Sequence, residues 1–170
     1  MTWNTYKLDE TAQDLVLTAL ERSAESLNQS YKMRTNVSFG LERFWGEHIR
    51  LLAKNRSSDD YQKGLYWHDT WKAFRETMKE AYVFLPEPLM NVNDTEVIKT
   101  ATKQFWGEAA IKVDSADVYL TLEDRRIAQA VLTQLCDCLV WWTQRYKDLG
   151  EKRRQPMAKG ASSSPPVKKI

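Results

Sequence analysis

The stretch TLEDRRIAQAVLTQLCDCLVWWTQRYKDLG, residues 121–150, decides the fold. At about 100° per residue, Ile127, Val131, Leu135, Cys138, Leu139, Trp142, Tyr146 and Leu149 fall on one arc, and Arg126, Gln129, Thr133, Asp137 and Gln144 lie opposite. Both ends are marked. Thr121 followed by Asp124 supplies an N-cap with an acid in the first turn, and Arg145 and Lys147 precede Gly150, a natural left-handed terminator. The spacing predicts one long amphipathic helix over 121–150 that lays an apolar face on a core, and four shorter helices are read around it.

From Asp9 to about Tyr31, Leu8, Ala12, Leu15, Val16, Ala19, Leu20, Ala24 and Leu27 recur at helical spacing. The polar run Lys32–Asn36 is read as a break, and Ser38 as the cap of a second helix on which Leu41, Phe44, Trp45, Ile49 and Leu52 share a face with His48. Ser57 and Ser58 before Asp59 and Asp60 open a third helix, running to about Phe84, with Trp67, Trp71, Phe74, Met78 and Ala81 inward. Pro86 and Pro88 stop it. Asn93 and Glu96 have capping-box spacing for a fourth helix with Val97, Ile98, Ala101, Phe105 and Ala109 as its stripe. Residues 112–120 are read as an ordered loop, because a single strand there would lack a partner.

The expectation is an all-α chain: a five-helix, bundle-like single domain over residues 1–150, with a disordered basic tail over 151–170. Eleven per cent aromatic residues, seven of them Trp, against 6 Gly and 5 Pro in 170 residues, suit rings packed between regular elements. The tail holds six Lys or Arg and one acid, a charge of +5, leaving −3 on residues 1–150 because the chain totals +2. Within that body, residues 30–79 are a basic island at +4, which could steer an anionic partner or simply be a solvated face. The start Met1-Thr2-Trp3-Asn4 has no basic region followed by an apolar run, and nothing approaches the ~20 apolar residues of a membrane span. A cytoplasmic protein without membrane contact is expected, with Cys136 and Cys138 reduced, since two helical residues at this spacing point about 160° apart.

No phosphate-binding glycine loop, no nucleotide fingerprint, no zinc-protease helix and no nucleophile elbow occurs. With His48 and His68 the only histidines, no cofactor or metal is expected, and His48 is read as a core or boundary histidine satisfied by a backbone carbonyl. The third helix carries the most suggestive surface. Tyr61, His68, Lys72, Arg75 and Lys79 project within about 60° of one another, opposite the tryptophans. Such a row could follow the phosphates of single-stranded RNA while Tyr61 stacks on a base, or it could be a solvated face whose lysines pair locally. Arg43, Arg50 and Lys54 form a second row with Glu47 at pairing distance. Trp141 lies beside the apolar arc, as a boundary residue or a partner anchor.

The helical architecture over 9–149, with Ala128-Gln129-Ala130 through Leu139-Val140-Trp141-Trp142-Thr143-Gln144-Arg145 in the character of a terminal helix, resembles the small all-helical subunits of multi-subunit CRISPR effector complexes. That resemblance implies stacking along a guide or target strand and contacts with neighbouring protein subunits, without a reaction of its own. The net acidity of the body departs from it. Two functional expectations follow: a non-catalytic subunit or adaptor of a larger assembly, with RNA or as a purely protein–protein module, and a small enzyme in which His68, or His48 with a carboxylate, acts as acid or base.

Overall fold

The computed structural model describes residues 6–154, and these form six α-helices and a two-stranded hairpin. In order, α1 spans Leu8–Arg22, α2 Gln29–Asn36, α3 Leu41–Leu52, α4 Asp59–Glu80, α5 Thr95–Phe105, β1 Ile111–Val113, β2 Ala116–Val118 and α6 Leu122–Arg154. Helix α6 lies against α1 and α2, α3 against α4, and α4 also meets α1, so the core sits between two helix layers. The mostly helical class agrees with the sequence, but the number of elements does not.

The extra helix, α2, falls where a polar break was expected. The chain breaks earlier, at extended Ser23 (φ −163°, ψ 120°), and a 3-10 turn over Ala24–Asn28 leads into α2. Apolar periodicity misses α2 because its inward residues are Gln29, Ser30 and Met33. Burying the first two requires partners, and both have them. Ser30 Oγ lies 2.6 Å from both Tyr66 Oη and Thr143 Oγ1, and Trp67 Nε1 donates to Gln29 Oε1 at 3.0 Å. This polar node ties α2 to α4 and α6 inside the core.

The second correction concerns residues 111–118. Ile111 pairs with Val118, Lys112 with Asp117 and Val113 with Ala116. The missing partner strand lies only two residues on, across Asp114 (φ 48°) and Ser115 (φ 69°), whose positive φ values match the tight turn that suits strand twist. Asp-Ser is not the usual Asn-Gly or Asp-Gly signal. Lys112 and Asp117 add a cross-strand ion pair.

Caps and phases also shift. Gly40 (φ 113°), not Ser38, precedes α3, and Asp94, not Asn93, caps α5 by accepting from Glu96 N and Val97 N at 3.1 and 3.2 Å. Within α5, Val97 is exposed, and Ala109 lies beyond the helix. Helix α4 ends at Glu80 rather than near Phe84. Ser58 caps α4 as expected, accepting from Tyr61 N at 3.2 Å. At the start of α6, Thr121 N donates to Asp124 Oδ2 and Asp124 N to Thr121 Oγ1, both at 3.0 Å, a complete capping box. Gly150 does not terminate α6, which continues to Arg154, so Glu151–Arg154 belong to the helix; residues 155–170, the rest of the expected disordered tail, lie outside the described residues.

The buried face of α6 is Ala128, Val131, Leu132, Leu135, Cys136, Leu139 and Thr143, while Ile127 and Leu149 are exposed. The face turns toward Thr143 because its hydroxyl is satisfied by Ser30, a pairing that a hydrophobicity pattern does not register. On the other layer, Phe44, Trp45, Trp67, Trp71, Phe74 and Phe105 form an aromatic core with ring centroids 4.8–6.2 Å apart.

Candidate functional site

The third-helix row of the sequence analysis lies on α4, and the structure divides it. Tyr61 is half-buried at the start of the helix. His68 is nearly covered, its ring centroid 5.9 Å from that of His48 and its Nδ1 3.3 Å from Asp69 Oδ1. Asp69 pairs in turn with Arg22 of α1 at 2.6 Å. Burial alone would raise the Asp69 carboxyl, but hydrogen bonds from His68 and Arg22 outweigh it and hold it below the usual carboxylate range.

The three cations separate. Lys72 is exposed and lines a groove of about 410 Å³ between α1 and α4 together with Asp14, Asp69 and Glu76. Arg75 is committed to the loop after α4: Nε donates to Leu85 O at 3.0 Å and Nη2 to Glu87 Oε1 at 3.1 Å, with Glu76 3.5 Å from Nη1. Lys79 is exposed and has no ion pair among the described residues. On the second row, Arg50 pairs with Glu47, as the spacing predicts.

A different set of residues converges at the C-terminal end of α4. Arg75, Lys79, Tyr82, Phe84, Leu85, Ile111, Lys112, Val113 and Asp114 line a cavity of about 340 Å³ between that end and the hairpin. Val83 N donates to Met78 O and Tyr82 N to Lys79 O, both at 3.0 Å, a bonding pattern that closes a helix with a left-handed residue, normally glycine. Here that residue is Tyr82, at φ 58°. A left-handed conformation costs an L-residue roughly 1–2 kcal/mol. Packing does not offset it, because Tyr82 is 84% exposed. Helical periodicity did not mark Tyr82, Phe84 and Lys112: the first two lie where the helix was expected to continue and the last where a loop was expected. Pro86 and Pro88 signalled that the helix stops before them, but not that it stops as early as Glu80.

The loop after α4 is pinned from several sides. Trp71 Nε1 donates to Pro86 O and Trp45 Nε1 to Glu87 O, each at 2.8 Å, and Leu89 N donates to His48 Nε2 at 2.9 Å. Proline nitrogens carry no N–H, so this segment's hydrogen bonds run mainly through its carbonyls. His48 is buried, with Nδ1 against Trp45 O, so both ring nitrogens are occupied. Of the two settings the sequence allowed, core or boundary, it occupies the core.

Burial, added to by nearby His68, lowers the His48 pKa from 6.5 to about 4 despite its two backbone hydrogen bonds. The unfolded chain therefore binds more protons at this residue between pH 6.5 and 4. The stability His48 contributes is complete above pH 6.5 and is lost as pH falls toward 4, about 3 kcal/mol in all. Denaturant midpoints across this range should show the loss in the wild type and a flattened profile in His48→Gln. An undiminished loss in the variant would place the titration elsewhere.

Neither cysteine is primed for nucleophilic chemistry. Burial pushes the Cys136 thiol well up, and burial together with Asp9 pushes Cys138 up to about 11. Among the described residues, no group of three or more His, Cys, Asp or Glu could hold a metal ion.

Trp141 is 46% exposed and sits edge-on to Trp142 at 4.7 Å, with Arg145 Cζ 3.5 Å from its ring centroid. Trp142 stacks on Tyr146 at 5.8 Å. Both tryptophans line an open groove with Asp9, Asp137 and Cys138. A further exposed apolar group lies at the junction of α5, the hairpin and α6. Trp106, Tyr119 and Leu122 are 50%, 53% and 56% exposed. The left-handed turn at Gly107 (φ 73°) lies so close to Leu120 O that a Cβ there would come within 2.7 Å of it, so the backbone segments carrying these side chains lie side by side. No helix among the described residues is long and apolar enough to cross a membrane. Compared with known proteins, the chain matches no protein-family model, no curated protein and no solved structure at a significant level.

Proposed function

We propose that this chain is a non-catalytic helical subunit or adaptor of a larger assembly, which docks a protein partner at the junction of α5, the hairpin and α6. The observation that carries the reading is the exposure of Trp106, Tyr119 and Leu122 on neighbouring backbone segments, in a chain that buries Trp45, Trp67 and Trp71 completely. Anchors of this type supply most of the energy of a protein interface. The non-catalytic part rests on occupancy: His48 spends both ring nitrogens on backbone groups, His68 faces Asp69, and both thiols are disfavoured as thiolates.

The setting implied by the sequence resemblance, a helical subunit of a CRISPR effector complex in the cytoplasm, belongs to the same proposal. Helix α6, roughly 50 Å long, is of a length to touch more than one neighbour. Lining of RNA by the whole α4 row is the less favoured form, because Lys72 shares its groove with three acids and Arg75 is bonded to the loop.

The test is retrieval of the affinity-tagged full chain from its native cells, followed by light scattering of the product. A stoichiometric partner chain is expected, lost in the Trp106→Glu, Leu122→Glu double variant while circular dichroism stays unchanged. A wild-type chain that emerges monomeric and alone, like the double variant, would sink the proposal.

A further inference from the structure

The cavity between the end of α4 and the hairpin shares none of the residues Trp106, Tyr119 and Leu122. Tyr82 occupies the position in its helix-closing pattern that favours glycine, at φ 58°, yet the ring buries almost nothing. Strain retained where packing gains nothing points to a use outside the fold. On the same closing turn, Lys79 has no ion pair among the described residues. On the opposite wall, Lys112 is tethered by Asp117 of the neighbouring strand and lines the same cavity. Arg75 forms part of the wall, but its guanidinium is bonded to Leu85 O and Glu87, and Asp114 is the one acid in the lining. Phe84, Leu85, Ile111 and Val113 supply the apolar lining.

A flat exposed ring, apolar walls and ammonium groups make a combination that calls for a ligand with a π-face and an attached anion. We propose that this cavity binds one nucleotide of a single-stranded nucleic acid, its base stacked on Tyr82 and its phosphate held by Lys79 and Lys112. An acidic peptide would supply the charge without the flat face. The cavity, about 340 Å³, has the size of a small-molecule site rather than of a domain interface. Tyr61, at the far end of α4 and roughly 27 Å along the helix axis from Lys79, cannot serve the same nucleotide. The proposal does not depend on the adaptor reading, and its test needs no partner.

Fluorescence anisotropy of a labelled short oligoadenylate RNA, titrated with the full chain from low to physiological salt, reads the site directly. Wild type is expected to bind with an affinity that falls as salt rises. Lys79→Gln and Lys112→Gln should each make the slope of log K against log salt shallower by about 0.7, the share of one released counterion. Tyr82→Gly should weaken binding by roughly 5- to 150-fold, the range of one lost base stack, without moving that slope. Its thermal midpoint should hold or rise, because glycine relieves the left-handed strain, so lost binding cannot be ascribed to unfolding. Tyr82→Phe should bind like wild type. Absence of salt-sensitive binding in the wild type, or unchanged binding by Tyr82→Gly, would overturn the site. Equal competition by polyglutamate would overturn the nucleic-acid assignment, and equal competition by adenosine monophosphate would overturn the assignment to a strand.

Discussion

Trp71→Ala is expected to lower the free energy of unfolding by about 3–5 kcal/mol. Trp71 is fully buried, with its ring 5.3 Å from Phe74, 5.5 Å from Phe105 and 6.2 Å from Phe44. Truncation therefore opens a cavity at the meeting point of α3, α4 and α5. It also removes the N–H that binds Pro86 O, leaving a buried carbonyl without that partner. Urea denaturation measures the loss. Trp71→Phe helps to apportion the two terms, because it keeps a six-membered ring in the cluster while removing the donor and the five-membered part of the indole. A loss below about 1 kcal/mol for the alanine variant would mean that the aromatic cluster collapses around the gap and that the loop after α4 is held without it.

Leu135→Ala is expected to cost about 2–5 kcal/mol. Leu135 lies fully buried in the middle of α6, in the same core as Ala12, Val16 and Met33. Alanine suits a helix at least as well as leucine, so the loss would report packing and not helix propensity. Chemical denaturation with an unchanged m-value would confirm that the native and unfolded states keep their compactness. A cost below about 1 kcal/mol would mean that the facing surfaces of α1 and α2 close over the vacancy.

Element by element, the agreement between sequence and structure follows the kind of interaction involved. The caps at Ser58 and Thr121 and the inward Trp67, Trp71, Phe74 and Met78 were legible, because each depends on neighbours within a turn or two. Helix α2 was not, since Gln29 and Ser30 are buried only by virtue of partners as distant in sequence as Tyr66, Trp67 and Thr143. The hairpin was hidden for a different reason: its turn uses Asp114 and Ser115 at positive φ, without the glycine that usually announces it.

The site follows the same division. Arg75 and Lys79 were recognised as cations on one face of α4, but Tyr82, Phe84 and Lys112 were not placed beside them. Helical periodicity specifies what lies around one axis; it carries no information on what a later hairpin brings against the end of that axis. By itself, then, the sequence determined the helical class, the aromatic core of α4, the long terminal helix and the structural role of His48. Tertiary structure alone decided that α2 buries polar residues, that α6 turns Thr143 inward, that Arg75 is tied to the loop, and that Lys79 shares a cavity with Tyr82 and Lys112. The physical reason is that each of these depends on a hydrogen bond, an ion pair or a wall supplied by residues remote in the chain, and such pairings leave no periodic trace in either partner's local sequence.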